Sequence, residues 1–225
     1  MQKRMQAGFT LVEIAIVLVI IGLLLGGILK GQEMITQARI KNVVNDFNGI
    51  TAAYFSYLDR YKSVPGDDPN ASTRWTGARN GSANGRVEGL YGATPASPDL
   101  TQALVTAGAE SSNFWWHMRL SGFVAGATTG VAAWSQPTNA VGGIVGVQTD
   151  AFNTLTGVVV CSANVPDKVA SAVDTQVDDQ RSNTGQMFGR TMAAGETATT
   201  NVTSLNADAN YVETGSAQYV ICKKI

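Results

Sequence analysis

The sequence predicts an α+β fold in which one long N-terminal helix packs on an antiparallel β-sheet. No proline occurs before Pro65, and apolar residues recur at spacings of three and four from Ile40 to Tyr61. This pattern is typical of a long helix with one apolar stripe. Short runs rich in β-branched residues occur in the second half of the chain, as is typical of strands. A sheet packed on the stripe buries the apolar side of both elements.

The predicted helix has two halves of different character. Residues 9–29 form an apolar run in which only Thr10 and Glu13 are polar apart from glycines, and this run is long enough to cross a bilayer core of ~30 Å. Residues 30–62 instead carry a stripe formed by Ile40, Val43, Val44, Phe47, Ile50, Tyr54, Leu58 and Tyr61. We expect the first half to lie in lipid or against identical helices, and the second half to pack on its own globular domain.

The charges around the apolar run predict how it sits in a membrane. Lys3 and Arg4 precede the run, which favours a cytoplasmic N-terminus and places the rest of the chain outside the inner membrane. No A-x-A-like cleavage site follows the run, as it would in an ordinary secretory signal, so a plain signal anchor is one interpretation. Glu13 then needs an explanation, because a carboxylate inside a hydrocarbon-length helix is costly without a partner.

The residues GFTLVE at positions 8–13 resemble the class III signal of type IV pilins and of the pseudopilins of type II secretion systems. The resemblance covers about residues 1–30 and rests on a short basic leader, the pair Gly8 and Phe9, and the single acid Glu13 in the apolar run. It implies that a prepilin peptidase cuts after Gly8 and methylates the new amine of Phe9. Residues 1–8 are then a leader peptide, and the fold is pilin-like with a globular head at residues 63–225.

The resemblance also suggests a role for Glu13. Cleavage leaves a positive α-amine on Phe9, and a neighbouring subunit shifted along a filament can place this amine near Glu13. Pairing offsets the desolvation of both charges, so Glu13 would set the register between subunits rather than add stability. The alternative is that Glu13 lies near the lipid headgroups, half solvated, without a function.

The partners and location that the resemblance implies follow from filament assembly. They are copies of the chain itself, other pilins, the prepilin peptidase and an inner-membrane assembly platform. The chain would be a single-pass inner-membrane protein with a periplasmic head, and then part of an extracellular or periplasmic filament. The alternatives to a pilus subunit are a type II secretion pseudopilin and a minor pilin that binds DNA or a surface.

The kind of filament is left open by position 30. Many major type IV pilins have a proline that helps to unwind the helix in the fibre, and this chain has Lys30 there. Glycines in the same stretch either loosen the helix or allow close packing of helices; they are Gly22, Gly26, Gly27 and Gly31.

The rest of the chain predicts one loop-rich domain. Strands are predicted at GGIVGVQ (142–148), LTGVVVC (155–161) and AQYVIC (217–222), helices at 113–122 and 166–177, and an ordered loop excursion at 63–100. Cys161 and Cys222 are the only cysteines. Outside the cytoplasm such a pair predicts a disulfide, and the resemblance to pilins supports it.

Two groups of polar residues and one histidine in the head are considered as candidate sites. A weak calcium site is possible in the loop, because its side chains offer oxygen ligands, although they also fit ordinary turns; the candidates are Asp67, Asp68, Asn70, Asn80, Asn84 and Glu88. Asp174, Asp178 and Asp179 are interpreted as a solvated helix face. His117 is the sole histidine, so neither a zinc site nor a catalytic triad can be built around it, and we expect it to be packed.

Composition argues against catalysis and against nucleic acid. We find no nucleotide-binding or nucleophile motif and expect neither an enzyme nor a cofactor other than calcium. The formal net charge is −1, so no overall field favours nucleic acid. Arg74, Arg79 and Arg86 are scattered among acids and glycines rather than grouped in a basic patch, and no nucleic-acid partner is expected.

Overall fold

A computed structural model of the protein describes residues 10–93, 110–193, 196, 202–203 and 207–225. The elements in chain order are α1 (Leu11–Tyr61), α2 (Ala71–Arg74), α3 (Glu110–Leu120), a 3-10 turn (Val131–Ala133), β1 (Val145–Ala151), β2 (Leu155–Pro166), α4 (Asp167–Val177), β3 (Met187–Thr191) and β4 (Gln218–Lys224). A long helix followed by a four-stranded antiparallel sheet confirms the predicted α+β, pilin-like fold class. The chain divides into two compact units, Met1–Ala38 and Arg39–Ile225.

The first unit contains the apolar part of α1. All side chains of residues 10–30 are exposed, and α1 is long and apolar enough to cross a membrane. Apart from the helix's own backbone and the adjacent residues, no atom of the described residues lies within 4 Å of a Cβ built on Gly22, Gly26, Gly27 or Gly31, and the helix runs through all four. Whether these glycines loosen the helix or admit a neighbouring helix stays a prediction.

The second unit, Arg39–Ile225, includes the predicted head together with the amphipathic part of α1, and we call this whole unit the head from here on. Its hydrophobic core is built on the amphipathic part of α1. The predicted stripe is confirmed, because its members are either buried or partly buried against the core. Ala53 and Tyr57 join the buried side of the helix, although the stripe did not include them. The core also takes in Trp115 and Met118 from α3 and Val169 and Val173 from α4.

The sheet has the strand order β1-β2-β4-β3, and all neighbouring strands are antiparallel. Sequence patterns located β1, β2 and β4, but they missed β3. Its sequence, MFGRT, has one β-branched residue in five positions, so it lacks the usual strand composition. The strand forms because all five of its residues pair with β4. The pairing begins with Met187 opposite Lys223 and ends with Thr191 opposite Tyr219.

The predicted helices of the head are present with shifted ends. α3 begins at Glu110 rather than at residue 113, and residues 110–119 are all buried. Pro166 is the last residue of β2 and stands at the N-cap position of α4, where it makes no side-chain capping hydrogen bond. Proline has no N–H to donate to the sheet, so it is tolerated at a strand end. In the predicted loop, residues 63–93 contain only the one-turn helix α2; residues 94–100 lie outside the described part of the chain.

Candidate assembly site

The first turn of α1 is closed by a capping box between Thr10 and Glu13. The backbone N–H of Thr10 donates to Oε2 of Glu13 at 2.8 Å, and the backbone N–H of Glu13 donates to Oγ1 of Thr10 at 3.3 Å. The Thr10 hydroxyl also donates to the same Oε2 at 2.7 Å. This reciprocal arrangement satisfies two N–H groups that a helix N-terminus otherwise leaves free.

The capping box leaves half of the Glu13 carboxylate open. Within the described residues, Oε2 accepts the bonds from Thr10, and Oε1 accepts none. A second donor can therefore reach the carboxylate without breaking the cap. Gly8 and Phe9, the predicted processing residues, lie outside the described residues, so cleavage, methylation and pairing of the Phe9 amine with Glu13 stay predictions.

The sequence analysis did not identify Thr10 as the N-cap residue of α1. The sequence does contain the pattern that predicts this cap, since Thr10-Leu-Val-Glu13 is the Thr-x-x-Glu pattern of a capping box directly before an apolar run. We had interpreted Thr10 only as one of two polar residues in that run. Its side chain instead holds Glu13 against the helix start.

The surface that follows this turn is apolar on every side. Large apolar side chains from Leu11 to Leu29 are exposed in the isolated chain. A contiguous apolar surface of this extent marks a contact with lipid or with other protein. The candidate assembly site is therefore the capped N-terminal turn together with the apolar part of α1, which we call the assembly helix (residues 10–29).

The first unit contains an exposed apolar helix whose first turn is closed by a Thr-x-x-Glu capping box, and a globular unit follows it in the chain. This arrangement is that of a prepilin-like protein. Residues 3–29 match the family model described as the prokaryotic N-terminal methylation motif. The match supports the class III signal of type IV pilins and pseudopilins and includes Gly8, Phe9 and Glu13. No curated protein and no solved structure matches the chain, so the evidence of kinship lies in this N-terminal motif.

The head is cross-linked between its two central strands. Cys161 in β2 lies directly opposite Cys222 in β4, their Cα atoms are 4.0 Å apart, and they form a disulfide. The predicted pairing is present in the structure. Because 61 positions separate the two cysteines, the bond closes a long loop and holds the C-terminal strand in the sheet.

In the loop proposed as a calcium site, donors of the same loop already form hydrogen bonds with the carboxylate oxygens of Asp67. Oδ1 of Asp67 accepts bonds from the Ser82 hydroxyl at 3.0 Å and the Asn84 N–H at 3.2 Å, and Oδ2 accepts the Gly85 N–H at 2.7 Å. A Cβ on Gly81 would meet the Asp67 backbone at 2.2 Å, so the loop closes tightly around this carboxylate.

The other calcium candidates are also engaged within the loop. Asp68 accepts bonds from the Tyr57 hydroxyl at 2.7 Å and the Asn70 N–H at 2.9 Å, and it pairs with Arg74. The Asn84 amide donates to Glu88 at 2.8 Å, and Asn80 accepts the Ser72 N–H at 2.8 Å. A calcium ion would have to displace several of these donors, and calcium binding stays a prediction.

His117 is packed in the core, as expected for a structural histidine. Its Nδ1 accepts the Gly66 N–H at 3.0 Å, and its Nε2 donates to the Arg79 carbonyl at 2.7 Å. These partners define a neutral ring with the proton on Nε2. Burial lowers the pKa of His117 to about 4, against the opposing effect of the Arg79 carbonyl. The ring joins α3 to the loop and stacks on Tyr57 with centroids 6.3 Å apart.

The three acids at the end of α4 correct one interpretation. Asp174 is fully buried, and its carboxylate accepts the Gln180 N–H and the Tyr211 hydroxyl, each at 2.8 Å. Burial raises the pKa of Asp174 to about 6. Asp178 and Asp179 accept donors from the connection to β3. They therefore fold this connection, and the expected solvated face is wrong for Asp174.

Proposed function

We propose that this chain is a structural subunit of a type IV pilus or pilus-like filament. A prepilin peptidase removes residues 1–8 and methylates Phe9, and subunits then leave the inner membrane to pack through the assembly helix. The observation that carries the proposal is the methylation motif at residues 3–29 on a helix whose apolar part is exposed throughout. The protein's role is structural rather than catalytic, with the head in the periplasm before assembly.

The geometry of Glu13 supports the proposed register contact. The capping box keeps one carboxylate oxygen hydrogen-bonded while the subunit is in the membrane, which lowers the cost of the acid there. The other oxygen is open to the methylated amine of Phe9 on a neighbouring subunit. The pair would be compensated only in the correct stagger, so a misplaced subunit would leave both charges unpaired.

Processing and assembly are tested in one experiment. We expect the intact mass after co-production with a prepilin peptidase to show loss of residues 1–8 and gain of one methyl group. We expect Glu13→Ala to be processed and membrane-bound but to give no filaments by electron microscopy. Normal filaments from Glu13→Ala would contradict the register role, and an uncut chain would reduce residues 9–29 to a signal anchor.

The alternative functions predict different phenotypes for cells that produce or lack this chain. α1 continues through Lys30 without a proline, and this leaves a type II secretion pseudopilin in competition with a pilus subunit. Long surface fibres made of this chain support a pilin, whereas absence of fibres together with loss of exoprotein release supports a pseudopilin. A minor pilin that captures DNA would retain DNA on its head in a salt-sensitive manner, and no such retention removes that alternative.

A further inference from the structure

One surface cavity of the head has a charged group on its wall that lacks a counter-charge. The cavity lies beside α1, its volume is about 290 Å³, and we call it the α1 cavity. Asp46 lines this cavity and is half-buried. Its carboxylate has neither a hydrogen bond nor an ion pair within the described residues. Burial raises the pKa of Asp46, so its surroundings do not compensate the negative charge.

The bases nearest to Asp46 along α1 do not supply this counter-charge. The helix positions three and four residues away, which lie on the same face, hold uncharged residues; they are Asn42, Val43, Gly49 and Ile50. Lys41 lies five positions before Asp46, which is about 140° around the helix. Arg39 lies on the same side of the helix as Asp46 but about 10 Å away along the axis. None of the described residues that line the cavity is basic.

The rest of the wall is mostly apolar and comes from three parts of the head. α1 contributes Ile50, the segment after α3 contributes Phe123 and Val124, and β1 contributes Val145. The N–H groups of Phe123 and Val124 both donate to the Met118 carbonyl at 3.1 Å, which fixes this segment to the end of α3. The cavity is therefore formed before a ligand arrives, and its apolar wall with a few polar groups is typical of a binding site.

Three side chains of the cavity offer an oxygen atom to a cation. They belong to Asn45, Asp46 and Thr138, and the side chains of Asn45 and Thr138 also have no hydrogen bond within the described residues. A lysine ammonium is a compact charge with three rotatable donors, whereas the planar fork of arginine suits two acceptors of one group. Single oxygens on three different side chains therefore favour an ammonium. Its unbranched alkyl stem fits an apolar wall.

Trp115 adds a donor that lacks an acceptor. It lines the cavity and is fully buried, and its indole N–H has no hydrogen-bond partner among the described residues. A buried N–H without a partner is costly, and a buried indole usually has one. An ammonium has no acceptor atom, whereas the peptide groups beside a lysine side chain have carbonyl oxygens. One lysine residue in a peptide therefore offers a partner to both Asp46 and Trp115.

We propose that the α1 cavity binds the side chain of a lysine residue in a polypeptide segment. The alkyl stem lies against the apolar wall, the ammonium pairs with Asp46, and a peptide carbonyl beside the stem accepts the indole N–H of Trp115. Both buried polar groups then have a partner, which lowers the cost of burying them. The site lies wholly within the head and does not rest on the proposed filament function.

Two other cavities in the described part of the head lack such an unpaired charge. One is lined by Lys62 and Asp67, but Lys62 pairs with Asp59, and Asp67 already accepts three donors of its own loop. The other has a volume of about 430 Å³ and is lined by Trp116 and Trp134 and by no charged residue. Nothing on the wall of either cavity selects an occupant as Asp46 and Trp115 do.

The indole signals of the full chain in detergent test this site. The chain has four tryptophans, so a proton–nitrogen correlation spectrum contains four indole N–H signals, and Trp115→Phe identifies that of Trp115. We expect N-acetyl-lysine methylamide to shift the Trp115 signal in a saturable manner, because its N–H gains an acceptor. The signal of Trp116 should stay in place, since its N–H already donates to the Thr128 carbonyl at 3.0 Å.

Two further probes separate the ammonium from the peptide groups. N-acetyl-norleucine methylamide keeps the peptide groups and the alkyl stem but has no ammonium, so it should bind about tenfold more weakly or worse. n-Butylamine has the ammonium but no carbonyl, so it should bind more weakly and shift the Trp115 signal less. An equal effect of n-butylamine and the lysine probe would show that a free amine is sufficient and would overturn the assignment to a peptide.

Asp46→Asn removes the charge with little change in size. We expect it to lower the affinity for the lysine probe about tenfold or more, because the ammonium loses its counter-charge. Asp59→Asn is the matched control, because Asp59 is an exposed acid of the same helix that does not line the α1 cavity. This control should bind the lysine probe as the unmodified chain does.

The possible results decide the site independently of filament formation. Absence of a saturable Trp115 shift, an equal shift of the Trp116 signal, or equal affinity for the norleucine probe overturns the lysine site. An unchanged affinity in Asp46→Asn overturns it as well, and the comparison of probes on the unmodified chain remains decisive if this variant does not fold. All of these measurements use dispersed chains, so a negative result leaves the proposed filament function intact, and that function is tested by the Glu13→Ala experiment.

Discussion

At the scale of single residues, Thr10 and Glu13 show how an acid can be carried inside an apolar helix. A carboxylate that accepts bonds from an N–H and a hydroxyl is partly solvated by the protein itself. The first turn of a helix also favours a negative charge. Glu13 occupies the third helical position, where both effects act, so the acid is tolerated at the start of the run and would be far more costly near its middle.

Glu13→Gln separates the cap from the charge. Glutamine also closes a capping box, so we expect Glu13→Gln to insert and to be processed as the unmodified chain is. We expect it to assemble poorly, because an amide cannot pair with the Phe9 amine as an ion. Filament yield by electron microscopy and processing by intact mass are the measurements. Full assembly of Glu13→Gln would assign Glu13 to capping alone.

Thr10→Val is the complementary change. It keeps the size and branching of Thr10 but removes the hydroxyl that bonds to Glu13. Loss of a cap costs about 1 kcal/mol, so we expect a frayed first turn and a reduced but measurable filament yield, in contrast to Glu13→Ala. Hydrogen exchange of the first helical amides in detergent checks the fraying. Unchanged exchange would show that the capping box does not hold the turn.

His117 makes the stability of the head depend on pH. Its pKa is about 4 in the folded head and ordinarily about 6.5, so only the unfolded chain takes up the proton between these values. Stability therefore has its full value above pH 6.5 and falls by up to about 3 kcal/mol as the pH approaches 4. Chemical denaturation of the unmodified head and of His117→Gln at several pH values measures this, and the variant should lack the fall.

Asp174 changes the stability of the head in the opposite direction as the pH falls, so its contribution has to be separated from that of His117. Its pKa of about 6 in the folded head exceeds the ordinary value, so the folded state binds the proton first and gains stability as the pH falls below 6. The difference between unmodified chain and His117→Gln isolates the histidine, because both retain Asp174. A parallel pH dependence in the two proteins would show that His117 does not titrate as proposed.

At the scale of elements, the second half of α1 has one buried face and one exposed face. Phe47 is 1% exposed in the core and Phe55 is 50% exposed on the outer face. We expect Phe47→Ala to cost about 3–5 kcal/mol, because it leaves a cavity, and Phe55→Ala to cost about 0.5 kcal/mol or less. Denaturant unfolding of the two variants measures this, and similar losses would contradict the assigned faces.

The disulfide joins the two strands at the centre of the sheet. We expect Cys161→Ala/Cys222→Ala to lower the free energy of unfolding by about 4 kcal/mol, because the bond restricts a loop of about 60 residues in the unfolded chain. Alanine avoids leaving a reactive thiol in this buried site. Unfolding of the reduced unmodified head is the control and should match the variant. A loss below about 1 kcal/mol would show that β4 needs no tether.

The elements also show which features could be predicted from sequence. α1 and α4 were readable, because the apolar periodicity of each helix is set by one packing face. The strands around Cys161 and Cys222 were readable as short, continuous apolar runs, because both of their faces are buried. β3 was not, since its five residues depend on pairing with residues about 30 positions further along the chain, from Met187 with Lys223 to Thr191 with Tyr219. The burial of Asp174 was missed for the same reason, because its partner Tyr211 comes from a distant loop.

The sites and cavities of the protein also divide into those that the sequence predicts and those that it does not. Gly8, Phe9 and Glu13 were readable because they belong to a motif that is continuous in the sequence, and the family match covers all three. The cavity lined by Trp116 and Trp134 was not readable, because the two rings are brought together by the intervening loop and by Arg119. Composition identified the aromatic residues, but it could not show that they leave a cavity between them.

At the scale of the whole molecule, the exposed apolar part of α1 and the buried core lie in different units of the chain. The buried core begins at Ile40, inside the unit Arg39–Ile225. We expect a fragment of residues 39–225 to fold and to remain monomeric, with the same melting temperature as the head of the full chain in detergent. Calorimetry and light scattering measure this. A molten or aggregated fragment would show that the head needs the assembly helix to fold.

The strand order sets when the sheet can be completed as the chain is made. β4 follows β2 and β3 in the sequence, yet it lies between them in the sheet. Among the described strands, β3 therefore has no neighbour, and Cys161 has no disulfide partner, until β4 has been made. A chain that lacks β4 would lack the strand that joins β2 to β3 and would keep a free thiol at Cys161. The topology thus makes closure of the sheet and formation of the disulfide depend on one and the same late segment.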